Sequence, residues 1–365
     1  MPTGHKKTYM RTQDAQPTTQ SPTKGKVLLV ISADGNDWKE QFKGETLQDG
    51  SPLTVYNTSW AQLHVEASTD YERSIVCKLI EDGSEVEVSP HFVLFRAFPN
   101  DLFGNSYRRQ VLGLAFSRIG GVNTVESVLR GMDRPVVHAE MVKIAEKLGQ
   151  AKFPVISAKY HPNCYSGNKK RLIQLPFPTV IKVGSSYGGY GKMVAKSKGD
   201  YDDATSVLAL GTEFFTEEPM IQHDYEFRVQ VIGPYVRCFR RNSHNNWKNQ
   251  CGNVFFEDHP WHPKYAVWVY EVRQMFGGLE MFGIDVLHRN PTPDQPEGED
   301  FILEINDYAM GFDADYEPED RKWVKDVVLQ RMNELFCGAE KKSYEGQFIF
   351  STYKRGDLKK TGILH

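Results

Sequence analysis

The segment IKVGSSYGGYGKMV, residues Ile181–Val194, carries four glycines within eight residues. Glycine lets backbone amides approach an anion closely. Two phosphate-binding signatures can be tested against it, and neither fits. Walker A needs a glycine where Ser186 stands and Ser or Thr where Met193 stands. The pattern G-x-G-x-x-G finds no match, and the following MVAK reads as strand rather than helix. What remains is a strand, a glycine loop (Gly184, Gly188, Gly189, Gly191) and a second strand. Lys182 lies on the incoming strand and Lys192 at the loop's exit. A hairpin of this kind folds over phosphates with two ammonium groups as point-charge partners. The plain alternative is a flexible surface hairpin.

Further along, FGIDVL (282–287) and ILEIN (302–306) read as buried strands, each interrupted by an oxygen ligand. Glu304 and Asn306 are two residues apart and share one strand face. If the strands pair, Asp285 joins them. Two carboxylates and an amide oxygen suit a hard cation bridging phosphates. The competing reading is a structural salt-bridge cluster with Arg228 or Arg240, because a carboxylate on a central strand is costly unless paired or metal-bound. Between the glycine loop and these strands stands Glu217-Glu218-Pro219-Met220-Ile221, whose proline marks an edge or hinge. Its backbone suits an adenine edge, with Glu218 as acceptor, or it is a simple connector.

Outward from this centre, residues 1–25 are a polar arm and order begins at the strand KVLLVIS. Strands over Ser74–Ile80, Glu85–Val88 and His91–Phe98 and a helix over Tyr107–Arg118 give an open α/β unit, stopped by Gly120-Gly121. Asp133-Arg134-Pro135 starts a helix that runs to Gly149. Strands and helices then alternate to a last helix over Pro318–Phe336. The chain of 365 residues is long enough for two or three domains. Its longest aliphatic run, Val27–Ile31, is far short of a membrane span. No secretory signal is expected in the polar first 25 residues. Five scattered cysteines without a CxxC argue for a reduced, cytosolic protein. Net charge is −3, but residues 1–26 carry five Lys/Arg against one Asp, and 338–365 carry six against three acids. The body between is therefore acidic, which disfavours specific nucleic-acid binding, while the basic ends suit anionic lipid or acidic partners.

The order is a strand lysine, a glycine loop with its lysine, an E-P-hydrophobic-I hinge, EFRVQ, and then D…E-x-N. It resembles the ATP-grasp superfamily, in which two α+β lobes grip ATP. The runs KVLLVI, HFVLFR, RPVVHAEMV, EPMIQHDYEFRVQVIG, NWKNQCG, FGGLEMFGIDVLH and ILEIND, spread over residues 26–337, are similar to the central domain of synapsins. The resemblance implies an α/β chain with a flexible arm at 1–25 and an open-sheet pre-ATP-grasp domain at 26–130. A two-lobed ATP-grasp domain follows at 131–337 (lobes 131–215 and 216–337), then a basic tail at 338–365. It implies ATP with Mg²⁺ or Ca²⁺ as ligand. Lys182, Lys192 and the loop glycines Gly188, Gly189 and Gly191 would lie at the phosphates, with Arg134 where the family has a lysine. Glu218, Met220 and Ile221 would flank the adenine. Arg240 and Lys248 would approach the terminal phosphates, and Asp285, Glu304 and Asn306 would hold the metal. Gln222 and Asp224 depart from the family's aspartate and lysine at those places.

Two functions follow from the resemblance. One is an ATP-binding homodimer or higher homo-oligomer, peripheral on the cytoplasmic face of synaptic or other vesicles. It would regulate vesicle pools and neurotransmitter release and contact cytoskeletal proteins. The other is an ATP-grasp ligase that makes an acylphosphate for attack by an amine or thiol.

Overall fold

KVLLVIS forms β1 (Lys26–Ser32), and Leu28, Leu29, Val30 and Ile31 are fully buried. A strand apolar on both faces belongs inside a parallel sheet covered on both sides. The computed structural model describes residues 25–351, apart from 34–36, 70–74, 82, 102–103, 165–175, 186, 244–253 and 313–314. After β1 come β2 (Leu53–Thr58), β3 (His64–Ala67), β4 (Ile75–Glu81), β5 (Ser84–Val88), β6 (Phe92–Arg96), α1 (Arg108–Ser117), β7 (Gly120–Val122) and α2 (Val125–Gly131). The order β2-β1-β6-β7 makes an all-parallel sheet, and β3-β4-β5 an antiparallel one. The strand order reverses at β1: the chain leaves it toward β2 and comes back on its other side as β6.

The second part opens with α3 (Arg134–Leu148), which starts beside Pro135 and ends at Gly149. Then follow β8 (Lys159–His161), β9 (Thr179–Val183), β10 (Lys192–Ala195), α4 (Lys198–Leu208) and β11 (Phe215–Pro219). These strands form an antiparallel sheet, β10-β9-β11-β8, over a small core of Ile181, Ala195, Tyr201 and Phe215. The chain continues through β12 (Tyr225–Ile232), β13 (Tyr235–Ser243), β14 (Val254–Asp258), α5 (Lys264–Arg273), β15 (Met281–Arg289), β16 (Glu299–Asn306), α6 (Glu317–Phe336) and β17 (Ile349–Phe350). The larger sheet has the order β14-β13-β12-β15-β16, with β17 added to β13.

Four features differ from the sequence reading. Gly120-Gly121 is a strand rather than a mere stop. A Cβ on Gly121 would stand 2.9 Å from the Val93 carbonyl oxygen, and one on Gly120 2.9 Å from the Leu335 side chain, so the glycines let β7 lie close against β6 and α6. Helix α3, expected in the first lobe, buries Val137, Met141 and Ile144 in the core of the larger sheet with Phe227, Trp268 and Phe282. Strand β11, expected to cross into the second lobe at 216, pairs along its length with β9 in the first. Residues after 337 are not simply a tail: Tyr344 is buried and Ile349 pairs with Tyr235. Helix α6 ties the two parts together, since Trp323, Val324, Val327 and Val328 share one core with Leu28, Phe92 and Leu94.

Candidate nucleotide site

The glycine loop closes the β9–β10 hairpin. Lys182 and Lys192 are cross-strand partners, and Val183 N–H donates to the Gly191 carbonyl oxygen. Gly184, Gly188, Gly189 and Gly191 all adopt positive φ, a conformation L residues avoid. The loop is anchored from outside as well. The backbone N–H of Arg134, at the start of α3, donates to Ser185 Oγ at 3.0 Å, and Tyr187 packs edge-on against Phe98 with centroids 5.5 Å apart.

Beneath the loop, Lys182 and Glu218 project from neighbouring strands and form an ion pair at 2.6 Å. Val180, Met220, Ile221, Leu287 and Leu303 give the apolar walls of the slot, which is open to solvent, spans about 800 Å³ with its mouth and also includes Gly189, Lys192, Asp285 and Glu304. It continues into a space of about 1220 Å³ against Arg134, His138 and Met141 of α3. Flat apolar walls at the hinge and cations at the loop suit a purine with a phosphate chain. The hinge is braced: Thr179 Oγ1 donates to the Glu218 carbonyl, and Arg289 Nε to the Gln222 carbonyl at 2.7 Å. Asp224 accepts from Asn290 N–H at 2.7 Å. The two positions that depart from the family thus tie the hinge to the β15–β16 hairpin.

At the floor, β15 and β16 pair antiparallel, and Leu303 is an extra residue between the pairs Val286–Ile302 and Asp285–Glu304. This bulge turns both Leu303 and Glu304 toward the slot. Burial alone would raise the Glu304 carboxyl. Lys192, Arg134, Lys182 and Arg241 outweigh it and hold the group well below the usual carboxylate range. No hydrogen bond or ion pair within 4 Å reaches its oxygens among the described residues.

Asp285 has a different environment. Arg228 donates to its two oxygens at 2.6 and 2.9 Å, Arg241 pairs with it at 2.6 Å, and the Asn306 amide donates at 2.8 Å. Burial opposes ionisation here too, but the two guanidiniums win and hold the carboxyl below its ordinary value. Expected as a metal ligand, Asp285 is the counter-ion of two buried arginines. Asn306 Oδ1 accepts from Arg134 Nη2 at 3.1 Å, so Arg134 joins α3, β16 and the loop. Among the described residues no three of His, Cys, Asp or Glu surround a common point. The free Glu304 oxygens nevertheless fit a divalent cation that brings phosphate oxygens as its other ligands.

Two expectations at the terminal-phosphate end fare differently. Lys248 lies outside the described residues. Arg240 is on the opposite face of β13, paired with Phe227, where its guanidinium stacks 3.8 Å over Tyr225 and meets His259. Its neighbour Arg241 faces the slot instead. Alternation along a strand admits only one of two consecutive residues to a given face. Arg241 was thus missed by one position, and His138, on α3, had no motif to announce it.

A family model described as the ATP binding domain of synapsin matches residues 123–334, and one described as the synapsin pre-ATP-grasp domain matches residues 21–121. A synapsin of Drosophila melanogaster is 28% identical over 317 residues, which cover 84% of this chain and 30% of the fly protein. The chain therefore spans less than a third of that relative's length. Among solved structures, the ATP-grasp ligase PsnB, in a complex with a precursor variant, Mg and ADP, aligns with TM-score 0.54 and 14% identity over 84% of this chain and 98% of its own. D-alanyl-alanine synthetase A of Vibrio cholerae aligns at 0.53 and 12% over 85% and 99%, and a RimK domain protein of Sphaerobacter thermophilus at 0.53 and 11% over 83% and 99%. At such identities the likeness is one of fold. With both models placed on it, the chain belongs to the synapsin family: a pre-ATP-grasp domain followed by an ATP-binding domain of the ATP-grasp fold.

Proposed function

We propose that this chain binds ATP with a divalent cation in the slot between the β10-β9-β11-β8 sheet and the larger sheet and works as a nucleotide-regulated scaffold on the cytoplasmic face of vesicles. The observation that supports this most is the convergence of Lys182, Lys192 and Arg134 on Glu304, under a loop whose four glycines already hold positive φ. Lys182 and Lys192 neutralise phosphate charge, and the apolar hinge walls orient the base. Arg134 holds the loop in place through its backbone N–H. A bound Mg²⁺ or Ca²⁺ would supply further charge neutralisation at Glu304. The vesicle role rests on the family and on the basic ends of the chain; self-association is part of the same reading.

Binding without chemistry is favoured over ligation because Asp285, the second acid of the floor, has both oxygens engaged by guanidinium and amide donors. The test is turnover. Purified chain is incubated with ATP, a divalent cation and a panel of carboxylates and amines, and ADP is followed. Stoichiometric ATP binding without sustained ADP release is expected. Continuous release with any acceptor replaces the scaffold by a ligase. Flotation with phosphatidylserine vesicles checks the membrane half: the chain rises with them at low salt, and failure to float removes it.

A further inference from the structure

The base and the tip of the glycine loop are held by different parts of the molecule. At the base, Gly184 N–H donates to the Phe214 carbonyl at 2.8 Å and Val183 N–H to that of Gly191 at 2.9 Å, so the ends of the loop stay with their own sheet. The tip reaches away from it. Ser185 Oγ accepts from the backbone of Arg134, and the Tyr187 ring meets Phe98, two residues after the end of β6 in the pre-ATP-grasp domain. A loop this rich in glycine loses much entropy on ordering, so contacts at its tip decide whether it holds one conformation. Its two tyrosines differ. Tyr190 is 63% exposed, whereas Tyr187 is half-buried. Burial, with the Asp101 carboxylate nearby, pushes the Tyr187 phenol above its ordinary value, as fits a ring set against the segment that carries both Phe98 and Asp101.

Phe98 offers that ring a fixed surface. The Ala97 carbonyl on one side of it accepts from Trp60 Nε1 at 2.9 Å, and the Pro99 carbonyl on the other accepts from Tyr107 N–H at 2.8 Å. Trp60 is itself buried and stacks on Phe95 of β6. Asn100 and Ser106 close the segment by a backbone bridge and a hydrogen bond of 2.8 Å between their side chains. Phe98 also lines one small cavity with Arg134 and Ile305, so the two contacts of the loop's tip lie side by side.

We infer that Phe98 is a positioning residue of the nucleotide site: its edge-on contact with Tyr187 holds the glycine loop over the phosphates. The inference rests on the nucleotide reading of the slot and adds to it a side chain from outside both ATP-grasp lobes. The pre-ATP-grasp domain, which supplies none of Lys182, Lys192, Arg134 and Glu304, thereby helps to set how tightly nucleotide is held. Phe98 acts only through the loop. With the contact made, part of the entropy of ordering the loop is lost before nucleotide arrives, and affinity gains by that amount. The ring of Tyr187 carries the contact, since an aromatic pair in this geometry is held by the quadrupoles of the two rings.

The test has two arms, both on the intact chain. The first, without nucleotide, follows hydrogen exchange in peptides spanning Tyr187 to Gly191 for Phe98→Leu, Tyr187→Leu, the double variant and Tyr187→Phe. Each single leucine variant should speed exchange about threefold to tenfold, the size of one aromatic pair's contribution. The double variant should go no further than the larger single, and Tyr187→Phe should match wild type. The second arm is calorimetric titration of ATP with Mg²⁺, in which affinity should fall by the same factor and in the same pattern. Tyr187→Leu removes the contact from the loop's side and leaves the N-terminal core untouched, so a folding effect of Phe98→Leu does not decide the result. Unchanged loop exchange in both leucine variants overturns the inference. So do unchanged ATP affinity in both, additive losses in the double variant, or a Tyr187→Phe protein that behaves like Tyr187→Leu. A wild type that binds no ATP removes the nucleotide reading instead, and the exchange arm still decides whether Phe98 holds the loop.

Discussion

Replacing Asp285 by asparagine separates the two acids that the sequence presents as one metal site. Asp285 is 2% exposed and compensates Arg228 and Arg241, which are 6% and 9% exposed. The substitution keeps size and shape but leaves two buried guanidiniums without their counter-ion. Removing one partner of a buried pair costs about 3–5 kcal/mol. The shared carboxylate serves two arginines through four short contacts, at 2.6, 2.9, 2.6 and, from Asn306, 2.8 Å. The upper part of that range applies, about 4 kcal/mol without ligand. With a urea slope of about 3 kcal/mol/M, the midpoint falls by about 1–1.5 M. Glu304→Gln is the matched control. Glu304 has no direct partner among the described residues, so Glu304→Gln leaves no hydrogen bond or ion pair broken and should cost the apo protein less than Asp285→Asn does. ATP affinity in the presence of a divalent cation, by contrast, falls at least tenfold, or about 1.4 kcal/mol. Urea titrations of both apo variants, followed by tryptophan fluorescence, give the comparison. An Asp285→Asn protein within about 1 kcal/mol of wild type would refute the counter-ion assignment and return Asp285 to the metal.

Three further outcomes follow. Among the described residues Lys192 has no ion pair to lose, so Lys192→Met should shift apo stability by less than about 1 kcal/mol while weakening ATP at least tenfold; Lys182→Met should lose both, because it strands the buried Glu218 carboxylate. Burial, with Arg240 and His288 close by, holds the His259 imidazole down at about 4, whereas an unfolded histidine titrates near 6.5. The unfolded chain then binds more protons between those values, so stability is full above about pH 6.5 and declines toward pH 4, by about 1–3 kcal/mol after solvent screening; His259→Phe should flatten that part of a pH series of melts. Finally, hydrogen exchange in the glycine loop should slow when ATP is added, since the loop's glycines lose the most entropy on ordering; equal protection with and without ATP removes it as the phosphate lid.

Several parts of this architecture were legible from residues alone. Four glycines between two strand lysines signalled a strand–loop–strand hairpin, and Asp-Arg-Pro followed by Gly149 bounded α3. The failures have physical causes. Strand β13 carries arginines on both faces, Arg240 on one and Arg237 and Arg241 on the other, so its sequence does not tell which of two consecutive arginines faces the slot, and Arg240 was taken where Arg241 belongs. The bulge at Leu303 has no mark in ILEIN, and it aims Glu304 at the slot. Gly120-Gly121 read as punctuation because close backbone approach is a tertiary demand that only the neighbours Val93 and Leu335 reveal. The side of the molecule on which α3 packs depends on partners more than 75 residues away, such as Phe227 and Trp268, which no local window contains.

The central claim is that ATP sits among Lys182, Lys192, Arg134 and Glu304. Calorimetric titration of ATP into the intact chain, with and without a divalent cation, tests it most directly when wild type, Lys192→Met and Arg240→Met are run side by side. The account predicts one saturable site per chain, tightened by the cation, weakened at least tenfold in Lys192→Met and unchanged in Arg240→Met, whose side chain points away from the slot. No saturable heat in the wild type, or an equal loss in the two variants, would contradict it.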